Sequence, residues 1–205
     1  MSKDDGTDRR QIVPRFADYI TYTYPTWSPD GAHIAYVRVD NGHETSELWV
    51  VRSDGRELHG LSIVHVADTP AWSPGGKWIA YVGDGGLSEV LSDGSGKRTL
   101  LPRDVAFPAW SPDGRSIAFE EQVGRIVSIR ELDTRDGQIR PIEHHQGSAG
   151  PLAWSPDGTR LAFTVERAGA GGSYFEIRTV RASGVDERAV TRLFVQHIDG
   201  ITWRR

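Results

Sequence analysis

The 205-residue chain contains no cysteine. Thiolate nucleophiles, disulfide staples and cysteine-ligated metal centres are therefore excluded, whatever the redox state of its surroundings. No apolar run approaches the roughly 18 residues that a membrane-spanning helix needs. No segment carries a sustained helical period, and the G-x-S-x-G signature of a serine hydrolase is missing. Excess charge is missing too. The formal net charge is −4 at pH 7, too mild to mark a nucleic acid or a membrane surface as partner. The opening residues MSKDDGTDRR lack the apolar core of a secretion signal, so the chain as written reads as cytoplasmic. Periplasmic residence is the alternative if a leader has been removed.

What the chain does have is repetition. PTWSPDGAHIAYV over residues 25–37 returns as PAWSPGGKWIAYV, PAWSPDGRSIAFE and LAWSPDGTRLAFT. The anchors are Trp27, Trp72, Trp110 and Trp154, spaced by 45, 38 and 44 residues, and Trp203 follows 49 residues later. A period of 40–45 residues is the length of one four-stranded propeller blade. Within each copy a first strand ends at the tryptophan and Ser-Pro-Asp-Gly turns the chain. Proline presets φ for a type I turn, and glycine accepts the left-handed position after it. The second copy has Gly75 where the others have Asp30, Asp113 and Asp157, so its turn lacks a side-chain hydrogen bond.

The second strand reads Ile34-Ala35-Tyr36, Ile79-Ala80-Tyr81, Ile117-Ala118-Phe119 and Leu161-Ala162-Phe163. Alternation puts the aliphatic and aromatic residues on one face and alanine on the other. Both faces are apolar, so both require a neighbour, and stacked blades supply one. Third strands are predicted at 47–52, 87–91, 125–132 and 174–180, and short fourth strands near 58–61, 98–101, 139–142 and 188–191. The predicted fold class is all-β: a β-propeller of four full four-stranded blades, beginning near residues 22, 67, 105 and 149, plus a partial fifth near 199. Residues 1–10 are assigned to a flexible tail and 11–205 to the propeller.

The W-S-P-D-G-x-x-I-A-F/Y pattern followed by a D-G turn resembles the TolB-like propeller repeat, a relative of WD-repeat propellers, over roughly residues 20–203. The resemblance implies six blades, as in TolB itself, or the propeller that covers prolyl-oligopeptidase-type active sites. This chain holds only four blades and one further strand. Three ways of completing the row stand open. Residues 11–13 and 19–23 join Ile201–Trp203 in a partial fifth blade; a second subunit supplies the edge, making a homo-oligomer; or the sequence is part of a longer propeller.

The five repeat tryptophans Trp27, Trp72, Trp110, Trp154 and Trp203 are read as structural anchors, because each indole can bury roughly 150–250 Å². The Asp-Gly turns offer one carboxylate apiece, too few for calcium. The stretch 168–172, rich in glycine, and Gly94-Ser95-Gly96-Lys97 lack the helix that a phosphate loop requires. The former is read as a flexible loop between strands.

In an antiparallel meander the links between blades all emerge on one face, opposite the Ser-Pro-Asp-Gly turns. Those links and the entry to the first blade carry Tyr22, His65, Asp68, Arg103, His145, His197 and Asp199, the candidate binding residues around the channel mouth. His65, His145 and His197 are weak candidates for a metal, since imidazole suits divalent ions, and the resemblance extends to oligogalacturonate lyases, which use histidines in this way. Their registers differ, lying seven, nine and six residues before their tryptophans. No cofactor is assigned. The function read from the sequence is a non-catalytic interaction platform for a protein partner or small ligand. Its alternatives are a metal-dependent lyase or hydrolase acting on acidic saccharides, and an accessory propeller of a peptidase.

Overall fold

The computed structural model describes residues 10–14, 18–147, 150–169, 172–193, 198 and 200–203. Its elements are all strands. Blade 1 comprises β1 (Ile20–Trp27), β2 (His33–Asp40), β3 (Thr45–Arg52) and β4 (His59–Val64). Blade 2 comprises β5 (Ala71–Trp72), β6 (Trp78–Gly83), β7 (Gly86–Leu91) and β8 (Arg98–Leu101). Blade 3 comprises β9 (Ala106–Trp110), β10 (Ser116–Val123), β11 (Ile126–Asp133) and β12 (Ile139–Gln146). Blade 4 comprises β13 (Leu152–Trp154), β14 (Arg160–Gly169), β15 (Gly172–Arg181) and β16 (Arg188–Leu193). Each blade is a four-stranded antiparallel meander in sequence order. The described residues thus form the four full blades of an all-β propeller that the repeat predicts.

The turn chemistry is local and repeats closely. In blades 1, 3 and 4 the turn serine donates its hydroxyl to the aspartate two residues on, at 2.6 Å each time. The same carboxylate accepts a backbone N–H from Ala32, Arg115 or Thr159. In blade 2 Ser73 accepts the N–H of Trp78, and Gly75 offers no counterpart to the aspartate. Glycine closes each turn with φ between 67° and 69°, a region that a β-carbon penalises. The turns also stack. A β-carbon on Gly76, Gly114 or Gly158 would meet the turn proline of the preceding blade, Pro29, Pro74 or Pro112.

Packing between blades follows the period-two alternation. The alanine face of blade 1, with Ala35, Val37, Leu61 and Ile63, forms one core with Trp72, Ile79, Tyr81 and Val90 of blade 2. Ala80 and Val82 meet Ile117, Phe119 and Leu132 of blade 3. Ala118, Ile129 and Ile142 meet Leu161, Phe163 and Val180 of blade 4. The interfaces are sewn by the indoles. Trp72 donates its N–H to the Thr26 carbonyl, one residue before the tryptophan of the blade ahead, and Trp154 does the same to Ala109. Trp110 is the exception, with its indole nitrogen buried and without a hydrogen-bond partner among the described residues.

The two ends of the row differ from its middle. Ile20–Thr23 is the start of β1 and so lies in blade 1. Residues 11–13 form no strand; Ile12 and Val13 pack on Ile34, Tyr36 and Val51 at the outward face of blade 1. Arg10 donates to the Ser53 carbonyl, whereas the rest of the assigned tail lies outside the described residues. Ile201–Trp203 is not paired as a strand, yet Trp203 donates its indole N–H to the Ala153 carbonyl. It therefore occupies the position of a next blade's first tryptophan. Around residues 168–172, strand pairing runs to Gly169↔Gly172. The described residues 168, 169 and 172 are thus strand residues, where the sequence reading has a flexible loop between strands.

Candidate functional site at the channel mouth

The links between blades and the β2–β3-type hairpins share one face. On the rim of blade 2 this face has a recess of about 440 Å³, lined by His65, Asp84, Arg103 and Asp104 among others. His65 follows β4 with φ of 57°, a left-handed conformation that swings its ring towards the β6–β7 hairpin. Its Nδ1 lies 2.5 Å from an Asp84 carboxylate oxygen. Gly86 lets the Leu101–Arg103 backbone pass close beside this hairpin. With φ of 87°, it is passed so closely by Leu101 and Arg103 that a β-carbon would collide with their backbone. Arg103 donates to Glu121 at 3.2 Å, and Arg130 holds the other oxygen of that carboxylate at 3.0 Å. Two candidate residues, His65 and Arg103, are thus brought into one recess, with a carboxylate facing each.

Asp68 has a different setting. It is buried, and its two oxygens accept the backbone N–H groups of Thr69 and, across the blade boundary, Phe107. Burial raises its pKa, opposed by those two hydrogen bonds. The partner that sequence reasoning missed is Glu120 on β10, buried and accepting the N–H of Gly150 from blade 4 at 2.8 Å. Burial pushes its pKa up to about 8; the Gly150 N–H pulls the other way, and the nearby Asp68 charge adds to the rise. These two carboxylates splice blade 2 to 3 and blade 3 to 4. The signal for Glu120 lay in the repeat itself, since the equivalent residues are Val37, Val82 and Thr164.

The other candidates separate. His145 is buried on β12, stacked on Phe163 with ring centroids 5.4 Å apart, so it packs between blades 3 and 4. Tyr22 donates its hydroxyl to the Pro14 carbonyl and sets its ring edge-on to Tyr36. It also lines an 860 Å³ cleft between β1 and residues 200–202. His197 and Asp199 lie outside the described residues. Among the described residues no group of three or more His, Asp or Glu is placed to hold a metal ion. Of the tryptophans, Trp72 is 8% exposed and Trp27 is 48% exposed.

Neither a protein-family model nor a curated protein sequence matches the chain. Solved structures match it in fold. TolB from Acinetobacter baumannii superposes with a TM-score of 0.72 at 16% identity, over 93% of this chain and 47% of TolB. An oligogalacturonate lyase in complex with manganese gives 0.70 at 12% identity, over 89% of this chain and 56% of the lyase. A chain of a nidogen/laminin complex gives 0.70 at 12% identity, over 91% of this chain and 70% of that one. The chain spans about half the length of the TolB it matches. At these identities the likeness is one of fold, and the fold is that of a TolB-like β-propeller. No helix among the described residues is long and apolar enough to cross a membrane.

Proposed function

Starting from a TolB-like propeller fold, we propose that the chain is a non-catalytic binding platform. Its contact face is the channel mouth, centred on His65, Asp84, Arg103 and Asp104. The observation that carries this reading is the recess on blade 2, where a half-exposed imidazole and a half-exposed guanidinium stand beside carboxylates on a rigid rim. Such a surface suits a polar or charged segment of a protein, or a small ligand bearing both signs of charge. The inner carboxylates Asp68 and Glu120 each accept a backbone N–H across a blade boundary, which is in keeping with a structural role. The likeness to a chain in a nidogen/laminin complex is in keeping with protein recognition. The test compares what the purified protein and a His65→Ala/Arg103→Ala double variant retain from a cell extract. A partner held by the first and lost by the second supports the mouth as contact face. Identical retention removes it.

A second reading, a metal-dependent enzyme acting on an acidic saccharide, draws on the fold likeness to the manganese-bound lyase. His65 beside Asp84 is the candidate ligand pair within the recess. Calorimetric titration with Mn²⁺ distinguishes the two. Stoichiometric binding abolished by His65→Ala favours the enzyme, and no heat of binding favours the platform.

A further inference from the structure

One repeat position sets blade 3 apart. The residue that opens the second strand is His33 in blade 1, Trp78 in blade 2 and Arg160 in blade 4, but Ser116 in blade 3. The ladders align the four, since the alanine two residues on pairs with Val50, Glu89, Thr179 and Glu131 respectively. Three of the four side chains are large and planar, and each has partners at the turn end of its blade. The His33 imidazole lies near Trp72 of the next blade, with ring centroids 6.5 Å apart. The Arg98 guanidinium lies over the Trp78 indole at 5.5 Å and donates to the buried Glu89 at 2.6 Å. The Arg160 guanidinium donates to Thr179 Oγ1 at 3.1 Å and to Asp186 at 3.0 Å.

Ser116 brings no planar group. Its hydroxyl donates to the buried Glu131, whose other oxygen takes Arg140 Nε at 2.8 Å and Nη2 at 2.7 Å. Glu131 pairs with Arg140 across the ladder as Glu89 pairs with Arg98. Blade 3 therefore keeps the ion pair of blade 2 and lacks its indole. Two hollows of about 320 and 400 Å³ adjoin the vacated position, and Asp113, Ser116, Glu131 and Arg140 wall both of them. Trp154 of blade 4 lines the larger. This is the face of the Ser-Pro-Asp-Gly turns, opposite the channel mouth.

We propose that this hollow is a binding site for a neutral, planar heteroaromatic ring of the indole kind. The ring sits over Ser116 beside Trp154, under the Arg140 guanidinium, as Trp78 sits under Arg98. Blade 2 supplies the chemistry of the occupant, because its ion pair is the same and its indole is built in. A guanidinium attracts the face of an electron-rich ring. Glu131 is already matched by Arg140, so the ligand needs no charge of its own. A cationic ligand would stand against Arg140, and an anionic one would meet Asp113 and Glu131. Two sources share this chemistry: a free indole compound, and the tryptophan side chain of a polypeptide.

The probes are indole and N-acetyltryptophan amide, each titrated into the isotope-labelled full chain and followed through its amide chemical shifts. Saturable shifts centred on Ser116, Glu131, Arg140 and Trp154 are expected. Ser116→Trp gives blade 3 an indole of its own and abolishes them. Arg140→Gln alters an exposed side chain, keeps a donor for Glu131 and weakens binding about two- to fivefold. Tighter binding of indole marks a free compound as the source, and tighter binding of the amide marks a polypeptide; either order supports the site. Absence of saturable shifts with both probes overturns the proposal. So does binding that Arg140→Gln and a Ser116→Trp variant with a cooperative thermal melt both leave unchanged. Ser116 and Arg140 lie outside the recess of blade 2, so this proposal and the channel-mouth reading fail separately.

Discussion

Trp72 and Trp27 are the same residue of the same motif, yet one is buried and the other is half in water. Trp72 has blade 1 ahead of it, whose Thr26 carbonyl takes its indole N–H and whose Val37 and Leu61 share its core. Trp27 has no blade ahead of it among the described residues. Residues 10–14 cover part of that outward face, and Ile12 stands under Gly55 as Leu61 stands under Gly94 and Ile142 under Gly184. Stability in this fold resides between blades. A blade's sequence prepares two apolar faces, and what each face contributes depends on whether a neighbour closes it.

The widest expected gap follows directly. Trp72→Ala should cost about 3–5 kcal/mol, the range for emptying a packed aromatic site. Trp27→Ala should cost about 1 kcal/mol or less, because much of its surface never leaves water. Chemical denaturation of both variants measures the two. Equal losses would break the comparison, by showing that the face of blade 1 is closed in solution. An aliphatic pair tests the other end of the row: Val190 on β16 holds the register of the buried Leu61 on β4 and is itself exposed. Leu61→Ala should cost about 2–5 kcal/mol, whereas Val190→Ala should stay within about 0.5 kcal/mol.

The inner carboxylates sharpen the same contrast through pH. Burial raises the pKa of Glu120 to about 8, well above its ordinary value of 4.5. Between these limits the unfolded chain has released the proton and the folded chain has kept it. Stability due to this group is therefore complete below pH 4.5, falls as pH rises, and levels off above about 8. Within that window the slope approaches about 1.4 kcal/mol per pH unit. Asp68 is shifted the same way, so its effect has the same sign. Glu120→Gln keeps an acceptor for the Gly150 N–H and has no proton to lose. Its unfolding free energy should decline less between pH 5 and 8 than that of the parent. An unchanged pH profile would show that Glu120 ionises freely in the folded protein.

Much of this architecture was legible because the period is written in strong, local signals. The four turns, the second strands and the third strands fall close to where tryptophan, Pro-Asp-Gly and alternation put them. The site was less legible for a physical reason. Repeat position says which face of a strand a residue occupies, but a link between blades has no such register. His145 and His65 both fell near links, yet β12 runs on to Gln146 and carries His145 into an interface, whereas β4 stops at Val64 and releases His65 to the rim. Glu120 was hidden in the opposite way: its register is that of a core valine, and its acceptor role depends on Gly150, thirty residues later.

The smallest effect concerns the turns, where blade 2 departs from the other three. Asp157 in blade 4 is held ionised by the Ser155 hydroxyl, then by the Thr159 N–H and hydroxyl, which lower its pKa to about 2. Blade 2 has the serine without the acid. Gly75 has no left-handed φ and a β-carbon there meets nothing within 4 Å, so an aspartate can be accommodated without strain. Gly75→Asp gives Ser73 the acceptor that Ser28, Ser111 and Ser155 already have, and it also removes glycine's freedom from the unfolded chain. A rise in melting temperature of about 1–3 °C is expected at pH 7, shrinking when the new carboxylate is protonated near pH 2. If the melt stays put or falls, the aspartates of blades 1, 3 and 4 are spectators of turns that proline and glycine already set.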